Sequence, residues 1–238
     1  MSIQAWAVAG FLVVGMWLSV KAGKLTILGA LTGGLLGWAI YSGAGLMGLS
    51  MLGAFFVLGS LVSSFRFRDK AALGLAEANK GRRKASQALA NGGVAGLMGL
   101  FSWAYPAQTE LFQLMLAASF ASATADTFAS ELGNIYGRNY YNILTLRPDT
   151  RGLDGVISLE GTLAGVGGST IITALYILGQ GWGLLVGVVW IAGILGNLAD
   201  SVLGATWERK AYLSNDAVNF LNTLIAALIA GALYLLLV

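Results

Sequence analysis

The chain has 238 residues, of which 57% are hydrophobic and 11% charged, with a formal charge of +3. So low a charged fraction excludes an ordinary soluble domain. The absence of cysteine and histidine excludes disulfides, thiolate chemistry and His-based triads, leaving carboxylates, hydroxyls, Lys and Arg as the reactive groups.

The apolar residues fall into runs of about 18–24, the length of helix that crosses a hydrocarbon core. They predict spans near 3–20, 25–42, 46–64, 87–105, 109–131, 157–178, 182–203 and 217–238. The expected fold is therefore all-α: a polytopic membrane helix bundle of about eight transmembrane helices, forming a single integral membrane domain over 1–238. The 34 glycines suit close helix packing in lipid. The start of the chain lacks the pattern of a cleaved signal peptide, so Ala5 to Val20 reads as a retained first helix.

Lys and Arg follow the first, third, fifth and seventh spans: Lys21 and Lys24, Arg66 to Lys84, Arg138 to Arg151, and Arg209 with Lys210. The intervening connections near 43, 107 and 180 carry none. The positive-inside rule then places the odd connections in the cytoplasm and both termini outside. The two longest connections, about 65–85 and 134–156, are on the cytoplasmic side, where loops of that length tend to carry function. No internal repeat is evident.

Polar residues enter the membrane from that same side. Lys80, Arg83, Lys84, Gln87 and Asn91 follow helical spacing, a stripe of cations and amides leading into the fourth span. The cations alone would also suit anionic lipid headgroups. Asp126 lies on a small-residue face of the fifth span with Ser119, Ser122, Ser130 and Gly133, and Glu131 follows. A carboxylate at the centre of a span costs roughly 2.5–3.5 kcal/mol, less toward an end, so Asp126 requires a partner or a wet cavity. Glu160 opens the sixth span, where it can simply complement the helix dipole. Asn197 and Asp200 share a face of the seventh, and Asp216, Asn219 and Asn222 enter the eighth. An N-cap role for Ser214 or Asn215 explains part of that last stripe. Carboxylates gathered beside basic residues and glycine-rich turns such as Gly92-Gly93 or Gly152 to Gly155 point to a divalent cation with a phosphorylated ligand. No Walker A motif is present.

The segments KGRRKASQALANGGV (Lys80 to Val94), ADTFASELG (Ala125 to Gly133), RGLDGVISLEGT (Arg151 to Thr162), GNLADSVLGAT (Gly196 to Thr206) and NDAVNFLN (Asn215 to Asn222) resemble the transmembrane-protein-nineteen-like family that includes the phytyl-phosphate kinase of tocopherol synthesis. Asp126 through Ser130, Gly133 and Gly137, followed by Glu160-Gly161-Thr162, is also similar to the pattern of CTP-dependent dolichol and phytol kinases, where it belongs to the nucleotide site. The Lys usual shortly before that Glu-Gly-Thr is absent here, since Ile157 and Ser158 precede Leu159. Arg151 or the Lys80 to Lys84 cluster would have to supply the cation.

The resemblance implies a membrane kinase that transfers a phosphoryl group from CTP, or another NTP, to an isoprenoid monophosphate such as phytyl phosphate, with Mg2+ and no role for nucleic acid. Phosphoryl transfer asks little covalent chemistry of a protein; it needs alignment and charge neutralisation. A phosphate nucleophile is already ionised and needs no histidine base. The expected Mg2+ ligands are Asp126, Glu131, Asp200 and Asp216. Lys80, Arg82, Arg83, Lys84 and Arg151 are expected to hold phosphates, and Gln87, Asn91, Ser130, Glu160, Asn197 and Asn219 to line the nucleotide and substrate site. Asp126, Asp200, Arg83 and Lys84 are the expected catalytic group. A lipid-phosphate transporter or flippase is the alternative, but transporters place charges near the midplane and are built from repeats. A ligand-free scaffold would leave so many polar groups at one depth unexplained.

Overall fold

The computed structural model describes residues 3–75 and 81–238. Its long helices are α1 (Ile3–Lys21), α2 (Ile27–Ser64), α4 (Ala85–Ala104), α5 (Thr109–Tyr136), α6 (Leu159–Gln180), α7 (Leu184–Leu203) and α8 (Asn215–Leu237); a short α3 (Phe67–Ala72) lies between α2 and α4. Among the described residues, α1, α2, α6, α7 with its extension to Glu208, and α8 are long and apolar enough to cross a membrane. Helices α4 and α5 are of comparable length and carry the polar stripes. Two two-residue strands, β1 (Tyr141–Asn142) and β2 (Val156–Ile157), pair antiparallel between α5 and α6.

Helix α5 is the centre of the bundle, packed against α2, α4, α6, α7 and α8. Leu114 and every residue from Leu116 to Ala125 are buried, as expected of a helix surrounded by protein on all sides. Its run of Ala and Ser permits this. A Cβ at Gly161 of α6 would lie 2.9 Å from the carbonyl of Ala129, and one at Gly168 would lie 2.7 Å from that of Thr124. Two of the buried hydroxyls are satisfied within the helix, Ser119 donating to the Leu116 carbonyl at 2.8 Å and Thr124 to that of Phe120 at 2.7 Å.

Helix α2 reverses direction at Gly45, which has φ 56° and ψ −146°. Position 37 lies against Leu52, and Gly29 and Gly59 both lie against Arg83, which a straight helix of 38 residues would hold far apart. The carbonyl of Gly43, freed at the reversal, accepts from Ser102 Oγ at 2.8 Å and Gln113 Nε2 at 2.6 Å. The two halves therefore correspond to the second and third runs read from the sequence. Thr26, Ser158 and Ser214 cap α2, α6 and α8 with side-chain oxygens. The C-termini of α1, α5 and α7, both termini of α2 and the N-termini of α4, α6 and α8 meet at one end, where Lys24 Nζ reaches Ser64 Oγ at 2.6 Å. All the described Lys and Arg residues belong to that end.

The Gly45 backbone lies in a region that only glycine occupies readily, while a Cβ there would meet nothing within 4 Å. Gly45→Ala is expected to cost about 1–3 kcal/mol through backbone strain alone, read as a lowered unfolding midpoint in mixed micelles. An unchanged midpoint would show that the reversal does not depend on this glycine.

Candidate functional site at the basic end of the bundle

A cavity of about 270 Å³ opens at this end, lined from six helices and the connection between α5 and α6. Five carboxylates line it, Asp126, Glu131, Asp154, Asp200 and Glu208, together with the guanidinium of Arg83. Asp126 comes from the last third of α5 and Asp200 from the end of α7, and their side chains face each other within hydrogen-bonding reach. Asn222 Nδ2 donates to Asp200 Oδ1 at 2.7 Å. Gln87, Asn91, Asn197 and Asn219 are among the amides of the lining, and Ser130 and Thr162 among its hydroxyls.

Arg83 is set in place by backbone. Its N–H donates to the Lys24 carbonyl at 2.9 Å, and its carbonyl accepts from the Thr26 N–H at 3.0 Å. The side chain is buried and lies over the Phe55 ring at 5.0 Å, an arrangement that favours a cation on an aromatic face. Gln87 accepts from the Lys84 N–H at 2.9 Å at the start of α4. The stripe read from the sequence thus brings Arg83, Gln87 and Asn91 into the cavity.

Other expected residues lie elsewhere. Lys80 falls outside the described residues. Arg82 is exposed and spends its Nε on the Leu25 carbonyl at 3.0 Å. Lys84 is the exposed N-cap of α4 and is not part of the cavity lining; its backbone is extended (φ −91°, ψ 173°), so the helical spacing that linked it to Gln87 does not extend to it. Glu160, in the first turn of α6, lies beside Arg138 at 4.0 Å, and Asp216, in the first turn of α8, is likewise outside the lining. Arg151 stacks beside Tyr140, 5.8 Å from its ring centroid; Tyr140 does line the cavity. Burial pushes the Tyr140 phenol above its ordinary value, and its O–H points at the Gly133 and Gly137 carbonyls at 3.0 and 2.9 Å.

Glu131, expected among the metal ligands, is paired with Lys70 of α3. Lys70 is 1% exposed and also donates to the Ser63 carbonyl at 2.8 Å and the Val62 carbonyl at 3.3 Å, both in the last turn of α2, where carbonyls lack a full set of helical partners. A single ammonium thus closes α2, holds α3 and neutralises Glu131. Among the described residues no three carboxylates come close enough to ligate one ion. Of the four residues expected as metal ligands, Asp126 and Asp200 face each other, Glu131 lines the cavity while paired with Lys70, and Asp216 lies outside the lining.

Asp154 and Glu208 were not legible as site residues, because the sequence reading takes Gly152 to Gly155 for its glycines and ends the seventh span at 203. Helix α7 in fact continues through a π-helical turn, Gly204–Glu208, a feature common at functional sites. The spacing Asp200, Gly204, Glu208 was the available signal. Close approach makes this wall: a Cβ at Gly204 would lie 2.8 Å from the Gly155 N, and Gly155 has φ +71°. Arg209 then clamps the connection, donating from Nε to the Asp154 carbonyl at 2.9 Å and pairing through a terminal nitrogen with Asp149 Oδ2 at 2.9 Å.

The chain matches the family described as Integral membrane protein DUF92 over residues 10–227. It belongs to that family. Protein VTE6, chloroplastic, of Arabidopsis thaliana is 33% identical over 204 residues, covering 83% of this chain and 60% of that protein; the chain thus spans under two thirds of the length of that relative. Uncharacterized membrane protein sll0875 of Synechocystis is 37% identical over 205 residues, covering 82% of this chain and 77% of its own. Uncharacterized membrane protein MJ0933 of Methanocaldococcus jannaschii is 34% identical over 211 residues, covering 87% and 84%. No solved structure matches.

Removing one partner of a buried ion pair typically costs about 3–5 kcal/mol. Lys70→Met is therefore expected to lower stability by about that amount, and Lys70→Met with Glu131→Gln to recover part of it, in denaturant titrations of the detergent-solubilised protein. Recovery absent in the double variant would show that the pair is not the source of the loss.

The Asp149 carboxyl is held below its ordinary value first by the Thr150 N–H, then by Arg209 and Asn142. A depressed folded value means that its contribution is complete above the unfolded value of about 3.9 and is lost as pH falls through the folded one. Pepsin cleavage within 140–156 is accordingly expected to stay slow at pH 5 and to rise only below the ordinary carboxylate range. Asp149→Asn should make that segment cleavable by neutral proteases at pH 7; equal resistance to wild type would remove the clamp.

Proposed function

We propose that the protein is a membrane prenyl-phosphate kinase, transferring the terminal phosphoryl group of CTP or a related NTP to an isoprenoid monophosphate such as phytyl phosphate. The relationship to VTE6 supports a function of this class. The observation that carries the reading is the facing pair Asp126 and Asp200 in a cavity that Arg83, Gln87 and Asn91 also line. In the reaction an oxygen of the monophosphate bonds to the γ-phosphorus as its bond to the β-bridging oxygen breaks, giving the isoprenoid diphosphate and a nucleoside diphosphate.

The donor set fits Mg2+, which takes one or two protein carboxylates and fills its remaining positions with water and substrate phosphates. When bound, Mg2+ would offset the charge on the phosphoryl oxygens of two polyanions. Asp126 and Asp200 would hold it, with Glu208 and Asp154 farther along the same wall. Arg83, kept in one orientation by Phe55, would hold phosphate oxygens on the other side, with Gln87 and Asn91 orienting them. A lining that, among the described residues, has five carboxylates to one guanidinium is unfavourable to bare polyphosphate, which is why a divalent cation belongs to the reading.

The finer topology belongs to the same proposal. Counting α2 as two crossings, reversed at Gly45, gives eight passes, and the basic residues at the cavity end support a cytoplasmic location for that end. The prenyl tail would lie along apolar helix faces with its phosphate at the boundary. A site at one end of the bundle favours a kinase over a transporter, whose site is expected near the midplane.

The test is turnover by purified protein of phytyl, farnesyl and geranylgeranyl monophosphates with each of four NTPs and Mg2+. Asp126→Asn and Asp200→Asn are each expected to lower kcat by at least about 100-fold, the scale of a lost electrostatic group at a reacting centre. Arg83→Gln should chiefly raise KM. Folded protein that forms no diphosphate from any pair would sink the proposal.

A further inference from the structure

Asn222 of α8 is fully buried, and its amide joins two helices that carry the facing carboxylates. Its Nδ2 donates to Asp200 Oδ1 on α7 at 2.7 Å, and its Oδ1 accepts from Ser122 Oγ on α5 at 3.1 Å. The assignment of the amide is forced by chemistry: a carboxylate accepts only, so the NH2 faces Asp200 and the carbonyl is left for a hydroxyl that must donate. Ser122 is also fully buried, and it lies one helical turn before Asp126 on the same face of α5. The backbones are close at this level, since a Cβ at Gly196 of α7 would lie 2.9 Å from that of Ser122.

We infer that Asn222 is a positioning residue that sets the separation of Asp126 and Asp200 for a divalent cation, acting through the chain Ser122, Asn222, Asp200 across α5, α8 and α7. The inference rests on the metal-dependent reading of the cavity. An apolar residue at 222 would fill the same space, yet it would leave Asp200 free to rotate about its side-chain bonds and Ser122 to turn back on its own helix. A hydrogen-bonding group behind a metal-binding carboxylate fixes the direction of its remaining oxygen. Because both ends of the amide are anchored inside the bundle, Asn222 cannot follow Asp200 if Asp200 moves. One carboxylate oxygen is thereby reserved for the protein and the other is presented to Asp126.

The experiment measures Mn2+ binding to the detergent-solubilised full chain by the electron paramagnetic resonance signal of the free ion, so that it does not depend on turnover. Wild type, Asp200→Asn, Asn222→Leu and Ser122→Ala are compared, with helicity and unfolding midpoints recorded for each. The expected result is Mn2+ binding in wild type that Asp200→Asn removes, a Kd raised about 10–100-fold by Asn222→Leu, the usual effect of losing a group behind a metal ligand, and a smaller rise with Ser122→Ala. Wild-type Kd in both Asn222→Leu and Ser122→Ala would overturn the inference while leaving the metal reading standing. If Asn222→Leu does not fold, Ser122→Ala decides alone, and a wild-type Kd there overturns it. Absence of any Mn2+ binding in wild type that depends on Asp200 would overturn the metal reading itself, and the inference with it.

Discussion

Small side chains along α5 allow five other helices to approach it closely, and the placement of every other polar group follows from that contact. In an apolar surrounding a carboxylate or amide that lacks a partner costs several kcal/mol, so polar residues on packed helices must meet one another. Ala, Ser and Gly at the contacts bring the axes near enough for side chains as short as Asp and Asn to touch across three helices. Had α5 carried Leu or Phe at 122 or 125, Asp126 and Asp200 could not face each other.

Two kinds of ionic arrangement result, and they do different work. Lys70 and Glu131 form a closed pair: the ammonium also donates to two carbonyls at the end of α2, so its three donors are all used. Asp126 and Asp200 form an open pair, two groups of like charge brought together, with Asn222 satisfying one oxygen. The first arrangement stabilises the fold as it stands, whereas the second, on the function proposed above, would be completed by a cation. The Arg209 clamp on Asp149 and the Asp154 carbonyl lies between these cases, fixing a connection that forms one wall of the cavity.

The polar stripes in the sequence forecast much of the cavity. Arg83, Gln87, Asn91, Asp126, Ser130, Asn197, Asp200 and Asn219 were readable as one site because each lies near the basic end of an apolar run, and a membrane gives all such ends a common depth. Arg82, Lys84, Glu160 and Asp216 share that depth but not the facing. Their helix phase, or a local partner such as the Leu25 carbonyl or Arg138, turns them elsewhere. Glu208 was hidden by a π-helical turn, which shifts phase by an amount that a fixed helical period does not anticipate.

Hydropathy and charge by themselves determined the class of the protein, the helical runs and the end of the bundle where the cations gather, because each is a property of composition along one dimension; the ordered motifs carried the family resemblance. Only the tertiary structure decided that α5 is central, that the second and third runs fold back at Gly45, that Glu131 belongs to Lys70 and that Asn222 stands between Ser122 and Asp200. Those outcomes depend on rotation of one helix about its axis relative to another. Rotation is set by the meeting of small residues on neighbouring helices, and that information is distributed over segments far apart in the chain.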